Sequence, residues 1–270
     1  MDTVASIAPA SLHARMGGPQ SPLVLDVRAP APFAAESRMI AGALHPEADA
    51  AAFAATHAAG RPVVAYCVHG HEVSREAARS LARAGHDAAF LEGGLEAWIA
   101  AALPTIRRKP EWRVPGGSRW ITRARPKIDR IACPWLIRRF IDPLARFDYV
   151  PAETVLAEAG KRGAVAFDLP GAPVTHRGER CSFDALIEDF AIEDPALHML
   201  ATIVRGADTD RHDLAPQCAG LVATSLGLSR RFADDHEMLA NAMPVYDGLY
   251  AWCRAEVGGD KERHAWSPPR

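Results

Sequence analysis

The stretch Val63-Val64-Ala65-Tyr66-Cys67-Val68-His69-Gly70-His71-Glu72-Val73-Ser74 constrains the fold of this chain more than any other. Four residues read as a buried strand and run straight into a cysteine. A turn containing Gly70 between two histidines follows, and the spacing then predicts a helix from Ser74 to Ala84. A cysteine at the carboxyl end of a parallel strand, facing a helix start, sits where backbone N–H groups converge and the helix dipole is positive. Such a site stabilises a thiolate and makes the sulfur nucleophilic.

The flanking sequence repeats the alternation of strand and helix. Ile7 to Arg15 reads as a short helix, Leu23–Val27 as a strand, and Pro30 and Pro32 as the end of regular structure beyond it. Met39–Leu44 is strand-like, and Asp49 to Ala58 is Ala-rich and helical. After the Cys67 loop and its helix, Ala88–Leu91 is a further strand, and Glu92-Gly93-Gly94 opens a helix containing Leu95, Trp98 and Ile99. This pattern predicts a parallel sheet with helices on both faces, whose ligands bind off the carboxyl ends of the strands.

A length of 270 residues allows two domains, each with its own core. Hydrophobic residues make up 49% and charged residues 24%, the balance of a soluble globular protein, and a net charge of −2 gives no general attraction to nucleic acid or membrane. No run approaches the ~18 apolar residues of a membrane span, and Met1–Ala14 carries no leader pattern. Five widely spaced cysteines (Cys67, Cys133, Cys181, Cys218, Cys253) argue for reduced thiols in a cytoplasmic protein.

Leu25-Asp26-Val27-Arg28, the Cys67 loop and Leu91-Glu92-Gly93-Gly94-Leu95-Glu96-Ala97-Trp98 together resemble a single-domain rhodanese over about residues 18–106. The resemblance implies a sulfurtransferase in which Cys67 takes a sulfane sulfur and carries it as a persulfide. It implies a small sulfur donor and a thiol acceptor as partners. Arg28 and the loop Val68, His69, Gly70, His71, Glu72 and Val73 form the implied substrate-binding set. Many rhodaneses carry an arginine five places after the cysteine, where this chain has Glu72. A carboxylate there is expected to repel an anionic donor and raise the cysteine's pKa, with His69 and His71 offsetting it if protonated. A phosphatase or arsenate-reductase reading wants an arginine at position six, where Val73 stands. A metal site of Cys67, His69 and His71 would strain its geometry.

Between residues 107 and 139 eleven Lys and Arg face only Glu111 and Asp129. Residues 107–118 read as a basic linker, and Arg123, Arg125, Lys127 and Arg130 as a solvated face or an anion-attracting patch. Trp112 and Trp120 are interleaved, but neither helix-turn-helix nor zinc-finger spacing accompanies them.

From residue 119 onward the periodicity predicts a mainly helical α+β domain to residue 255, with a polar tail over 256–270. Trp120–Arg123, Lys127–Phe140, His176-Arg177-Gly178 with Cys181, Ile203–Asp210 and Met243–Asp247 resemble the chromate-resistance protein ChrB C-terminal domain. The resemblance implies a role in chromate or oxyanion resistance, with chromate or a related oxyanion as a partner. Asp129 and Cys133 are four apart on one helix face. With His176, Cys181, Asp208 and Asp210 they form a candidate site for Fe, Mn or Zn, onto which His212 and Asp247 could also converge. Cys133 or Cys181 is also the expected internal thiol acceptor. Two other readings stay open: a chromate- or metal-responsive regulator with a degenerate rhodanese domain, and a metalloenzyme centred on the second domain.

Overall fold

The computed structural model describes residues 4–46, 49–112 and 116–260. The first domain is built on β1 (Ala5–Ile7), α1 (Pro9–Ala14), β2 (Leu23–Asp26), α2 (Pro30–Ala35), β3 (Arg38–Ile40), α3 (Ala50–His57), β4 (Val63–Tyr66), α4 (Glu72–Arg83), β5 (Ala88–Leu91), α5 (Gly94–Ala100) and β6 (Thr105–Arg107). Four strands form a wholly parallel sheet in the order β1-β5-β4-β2. Strand β4, which delivers Cys67, therefore lies inside the sheet. Its side chains alternate between two cores. Val63 and Ala65 join Leu23, Leu25, Ala54 and Leu81 on the face covered by α3 and α4, while Val64 and Tyr66 join Leu12, Leu95 and Trp98 on the other. Fully burying a side chain of this size stabilises by about 1.5–3 kcal/mol.

Two local expectations are corrected. Pro30 does not stop structure but opens α2, because a proline at the first helical position loses no hydrogen bond and has its φ already set. Ile7, expected to begin a helix, instead ends strand β1, held by pairing with β5 some eighty residues later.

The second domain comprises β7 (Arg119–Arg123), α6 (Asp129–Leu136), β8 (Arg146–Val150), α7 (Val155–Arg162), β9 (Val165–Ala166), α8 (Ser182–Asp189), α9 (Pro195–Asp208), α10 (Cys218–Arg231) and α11 (Asp235–Gly258). It is rich in helix, as expected, but its three strands are all parallel, with β7 central between β8 and β9. Helices α6 and α7 are the crossovers. Pro134 lies inside α6 and is buried, and the helix widens into a π turn over Ile137–Ile141. No helix among the described residues is long and apolar enough to cross a membrane.

The two domains share one core: the cluster holding Val24, Tyr66 and Trp98 continues without interruption through Trp120, Trp135, Phe183 and Tyr246. Backbone bonds cross the junction, from Gly42 N to Phe140 O (2.6 Å) and from Arg107 N to Phe190 O (2.7 Å). Gly42 has φ +74°, and a Cβ there would lie 2.7 Å from the Arg139 carbonyl oxygen. The start of the expected linker is therefore docked rather than free: Arg107 pairs with Arg38 in the β3–β6 ladder, and Arg108 donates to the carbonyls of Phe33 and Glu36. Of the expected tail, 256–258 belong to α11, and 261–270 fall outside the described residues.

Candidate functional site

Cys67 stands at the end of β4 and exposes 7% of its surface. The following loop is shaped from beneath by Gly93 and Gly94. A Cβ on Gly94 would come within 2.5 Å of Cys67 O, Val68 O and Gly70 N, and one on Gly70 would come within 2.6 Å of Leu91 O and Gly93 N. Only two glycines with positive φ, +67° at Gly70 and +59° at Gly94, let these backbones touch. The first amides of α5 then take the loop's carbonyls, Leu95 N donating to Cys67 O (2.9 Å) and Glu96 N to Val68 O (3.1 Å). With the carbonyls turned down onto α5, the amides of His69, His71 and Ser74 act on the sulfur.

Burial alone would raise the Cys67 pKa; the Ser74 side chain and these three amides outweigh it, and the thiol lies below its ordinary value. Ser74 is fully buried, with its Oγ 3.3 Å from the sulfur. It went unassigned from sequence, although its place seven residues on, just inside the helix, was the available signal.

Glu72 does not act as expected. Helix α4 begins at Glu72 rather than Ser74, so the Glu72 carboxylate projects outward to Arg79 (3.3 Å) with its side chain 81% exposed. The largest influences on Cys67 are burial, Ser74 and the His71 and His69 amides, not Glu72. Arg28 is likewise removed from the substrate-binding set. Its guanidinium is fully buried on Asp26 (2.6 Å), which also accepts from Tyr66 (2.8 Å), so it braces the strand ends instead. Among the other loop residues, His69 faces Glu96 (2.9 Å) and His71 caps α4 through its backbone. Val73 is exposed at the rim, and Val68 is half-buried.

In the second domain, Asp129, His176 and Asp208 converge, each offering a ligand atom within 4.8 Å of the others. His176 Nε2 lies 3.7 Å from Asp129, 3.2 Å from Asp208 and 3.4 Å from Asp168. Asp168, at the end of β9, was missed because no spacing in the sequence links it to the rest. Asp129 is fully buried and accepts the first amides of α8, from Ser182 (2.7 Å) and Phe183 (3.0 Å). Burial, with Asp168 and Asp208 alongside, pushes its carboxyl up to about 8, and Asp168 first among its neighbours lifts His176 to about 9. Burial would raise Asp168 too, but His176 and Ser182 (2.9 Å) hold it down.

The backbone entering this cluster is strained. Ile128 has φ 42° and ψ −97°, unusual for a β-branched residue. Ser225 accepts its N–H (3.0 Å) and Tyr246 donates to its carbonyl (2.8 Å), holding Asp129 in place.

The other expected ligands, Cys133, Cys181, Asp210, His212 and Asp247, do not join. Cys133 lies beside Asp129 (3.3 Å) but is fully buried, which drives its pKa well up. Cys181 caps α8 and turns to Asp184 (3.4 Å), also fully buried. Neither sulfur is open to an acceptor role. Asp210 is 96% exposed and faces His212 (3.6 Å). Asp247 pairs with Arg139 and Trp135 instead.

The basic stretch is largely consumed internally: Arg123 and Arg130 bind Asp168, and Arg125 binds the Phe232, Ala233 and Ser229 carbonyls at the end of α10.

Residues 8–101 match the rhodanese-like domain, and residues 120–253 match "ChrB, C-terminal domain". Protein ChrB of Cupriavidus metallidurans is 36% identical over 135 residues, which are 50% of this chain and 40% of that protein. This chain therefore spans less than half of that relative's length. Among solved structures, a thiosulfate sulfurtransferase from Pseudomonas aeruginosa is 30% identical (TM-score 0.33), covering 38% of this chain and 19% of its own. A rhodanese-related protein from Thermoplasma volcanium is 26% identical (TM-score 0.32), covering 37% of this chain and 96% of its own. Residues 8–101 thus belong to the rhodanese-like domains, and residues 120–253 to the ChrB C-terminal domains.

Proposed function

We propose that the chain is a rhodanese-type sulfurtransferase acting in chromate or oxyanion resistance. The observation that carries this is the Cys67 cradle: one sulfur, acidified by Ser74 and three amides, at the open end of a parallel strand. The Cys67 thiolate attacks the outer sulfur of a donor such as thiosulfate; the S–S bond to the sulfonate breaks and sulfite leaves with that bond's electron pair. The persulfide anion on Cys67 inherits the charge that the amides stabilise. A thiolate acceptor then takes the outer sulfur, and Cys67 returns as the thiolate. With Cys133 and Cys181 sealed in the core, the acceptor is a separate molecule.

Incubation with thiosulfate followed by mass spectrometry is expected to add one sulfur to the wild type and none to Cys67→Ser. Equal loading of the two proteins would overturn the reading.

A second reading rests on the second domain. His176 Nε2 lies among three carboxylates, yet that nitrogen carries at most one proton to share among them. Oxygen ligands with one imidazole suit Fe, Mn or Zn, held by Asp129, His176 and Asp208 with Asp168 alongside. Elemental analysis of the purified chain is expected to find one such metal in the wild type and a loss in His176→Ala. A metal-free protein that gains nothing on dialysis against Mn, Fe or Zn would remove this reading.

A further inference from the structure

At the junction of the domains lies a recess that belongs to neither site. It holds about 110 Å³ and is lined by Arg61 and the Gly17-Gly18 and Gly42 backbones of the first domain, and by Arg138 and Arg139 of the second. Of the three guanidiniums, Arg139 alone has a carboxylate, a forked pair with Asp247 at 2.8 and 2.9 Å. Arg61 is clamped by uncharged acceptors, the carbonyls of Ala58 (3.1 Å), His57 (3.0 Å) and Ser21 (3.3 Å). Arg138 gives its Nε to the Ala145 carbonyl (3.3 Å) and lies over the Phe147 ring. Among the described residues neither Arg61 nor Arg138 has an acidic partner.

Carbonyl clamps fix the position of a guanidinium without neutralising it, so two arginines that lack a carboxylate partner line one small space. Burial first, and then the nearby Arg139, hold both groups below the ordinary arginine range. An anion in the recess would relieve both effects.

The volume limits what can enter. A water needs roughly 10–15 Å³ by this measure, and pockets for drug-sized ligands run to about 300 Å³ or more. A nucleotide or peptide is too large, whereas a compact oxyanion with a water or two fits. Forked N–H donors suit a tetrahedral oxyanion, and two charges call for a dianion.

We propose that this recess binds a tetrahedral dianion of the sulfate type, bridging Arg61 of the first domain to Arg138 of the second. Occupancy then tightens the docking of the domains. This inference is independent of sulfur transfer at Cys67.

The test uses the full chain with sulfate and molybdate, which do not oxidise its thiols, and chloride at equal ionic strength as control. Calorimetric titration is expected to show dianion binding to the wild type and to Cys67→Ser alike, weakened at least tenfold in Arg138→Gln. A second variant, Gly18→Asp, places a carboxylate where a Cβ meets nothing within 4 Å, and it is expected to abolish binding while keeping the wild-type thermal midpoint in chloride. Undiminished affinity in both variants, an effect matched by chloride, or loss of binding in Cys67→Ser would each overturn the proposal.

Discussion

Replacing Ser74 by alanine tests the origin of Cys67 reactivity most directly. The Ser74 hydroxyl stands between the sulfur (3.3 Å) and the His71 carbonyl (3.2 Å). Toward a thiol it can donate to His71 and accept S–H; toward a thiolate it can rotate and donate to sulfur. Alanine removes that option in a fully buried position. A hydrogen bond to a charged group contributes about 1.5–3 kcal/mol, which lowers the thiolate fraction at neutral pH about 10- to 150-fold. A more basic thiolate is also the better nucleophile, with a Brønsted slope near 0.5, so the observed rate falls by about the square root, roughly 3- to 12-fold. The assay is the rate of iodoacetamide alkylation as a function of pH. The other four cysteines are fully buried and stay silent. In Ser74→Ala the rise of rate with pH should move to higher pH, with the neutral rate lowered. A profile that superimposes on the wild type would refute the cradle argument, because it would leave the sulfur acidified by something other than Ser74.

Gly94→Ala should cost about 2–4 kcal/mol, from a left-handed conformation and a Cβ pressed against three backbone atoms, and lower the thermal midpoint by roughly 4–16 °C; an unchanged midpoint would contradict the packing described. Glu72→Arg places a cation at the rim in place of an exposed carboxylate, and should raise kcat/KM for thiosulfate about tenfold through anion attraction; no change would show the rim to be irrelevant to donor capture. The second-domain cluster predicts a pH dependence with a definite sign. His176 and Asp129 both titrate higher folded than unfolded, near 9 and 8 against 6.5 and 3.8. The native state therefore holds extra protons between those values, and metal-free protein should lose stability as pH rises from about 4 to 9, through Asp129 up to about 8 and through His176 from about 6.5. Thermal midpoints in a chelator are the measurement; His176→Gln should flatten the slope, and an equally steep fall in that variant would refute the assignment.

Much of the front half was legible because its signals are local. Val63–Tyr66 is continuously apolar, Gly70 follows at once, and Leu91–Trp98 carries the two glycines that the Cys67 loop rests upon. Boundaries were less legible: α4 starts two residues earlier than its apolar stripe suggests, and that shift turns Glu72 away from the sulfur. Arg28 looked like a ligand for an anion because a motif does not say which way an arginine points. Its partner Asp26 lies two residues back, inside the core.

In the second domain, residue types were legible and their convergence only in part. Asp129, His176 and Asp208 do meet, but Asp168 joins them, while Asp210 faces solvent and the two cysteines are sealed off. The sequence alone determined the strand–turn–helix that presents Cys67 and the alternating pattern that makes its sheet parallel, because both follow from neighbours within a dozen residues. Tertiary structure alone decided which thiols are buried, which carboxylates share a histidine, and that both domains use one core with arginines gathered at their seam. Most of those outcomes depend on contacts between residues thirty or more positions apart, where burial and charge are set by what the rest of the chain packs alongside.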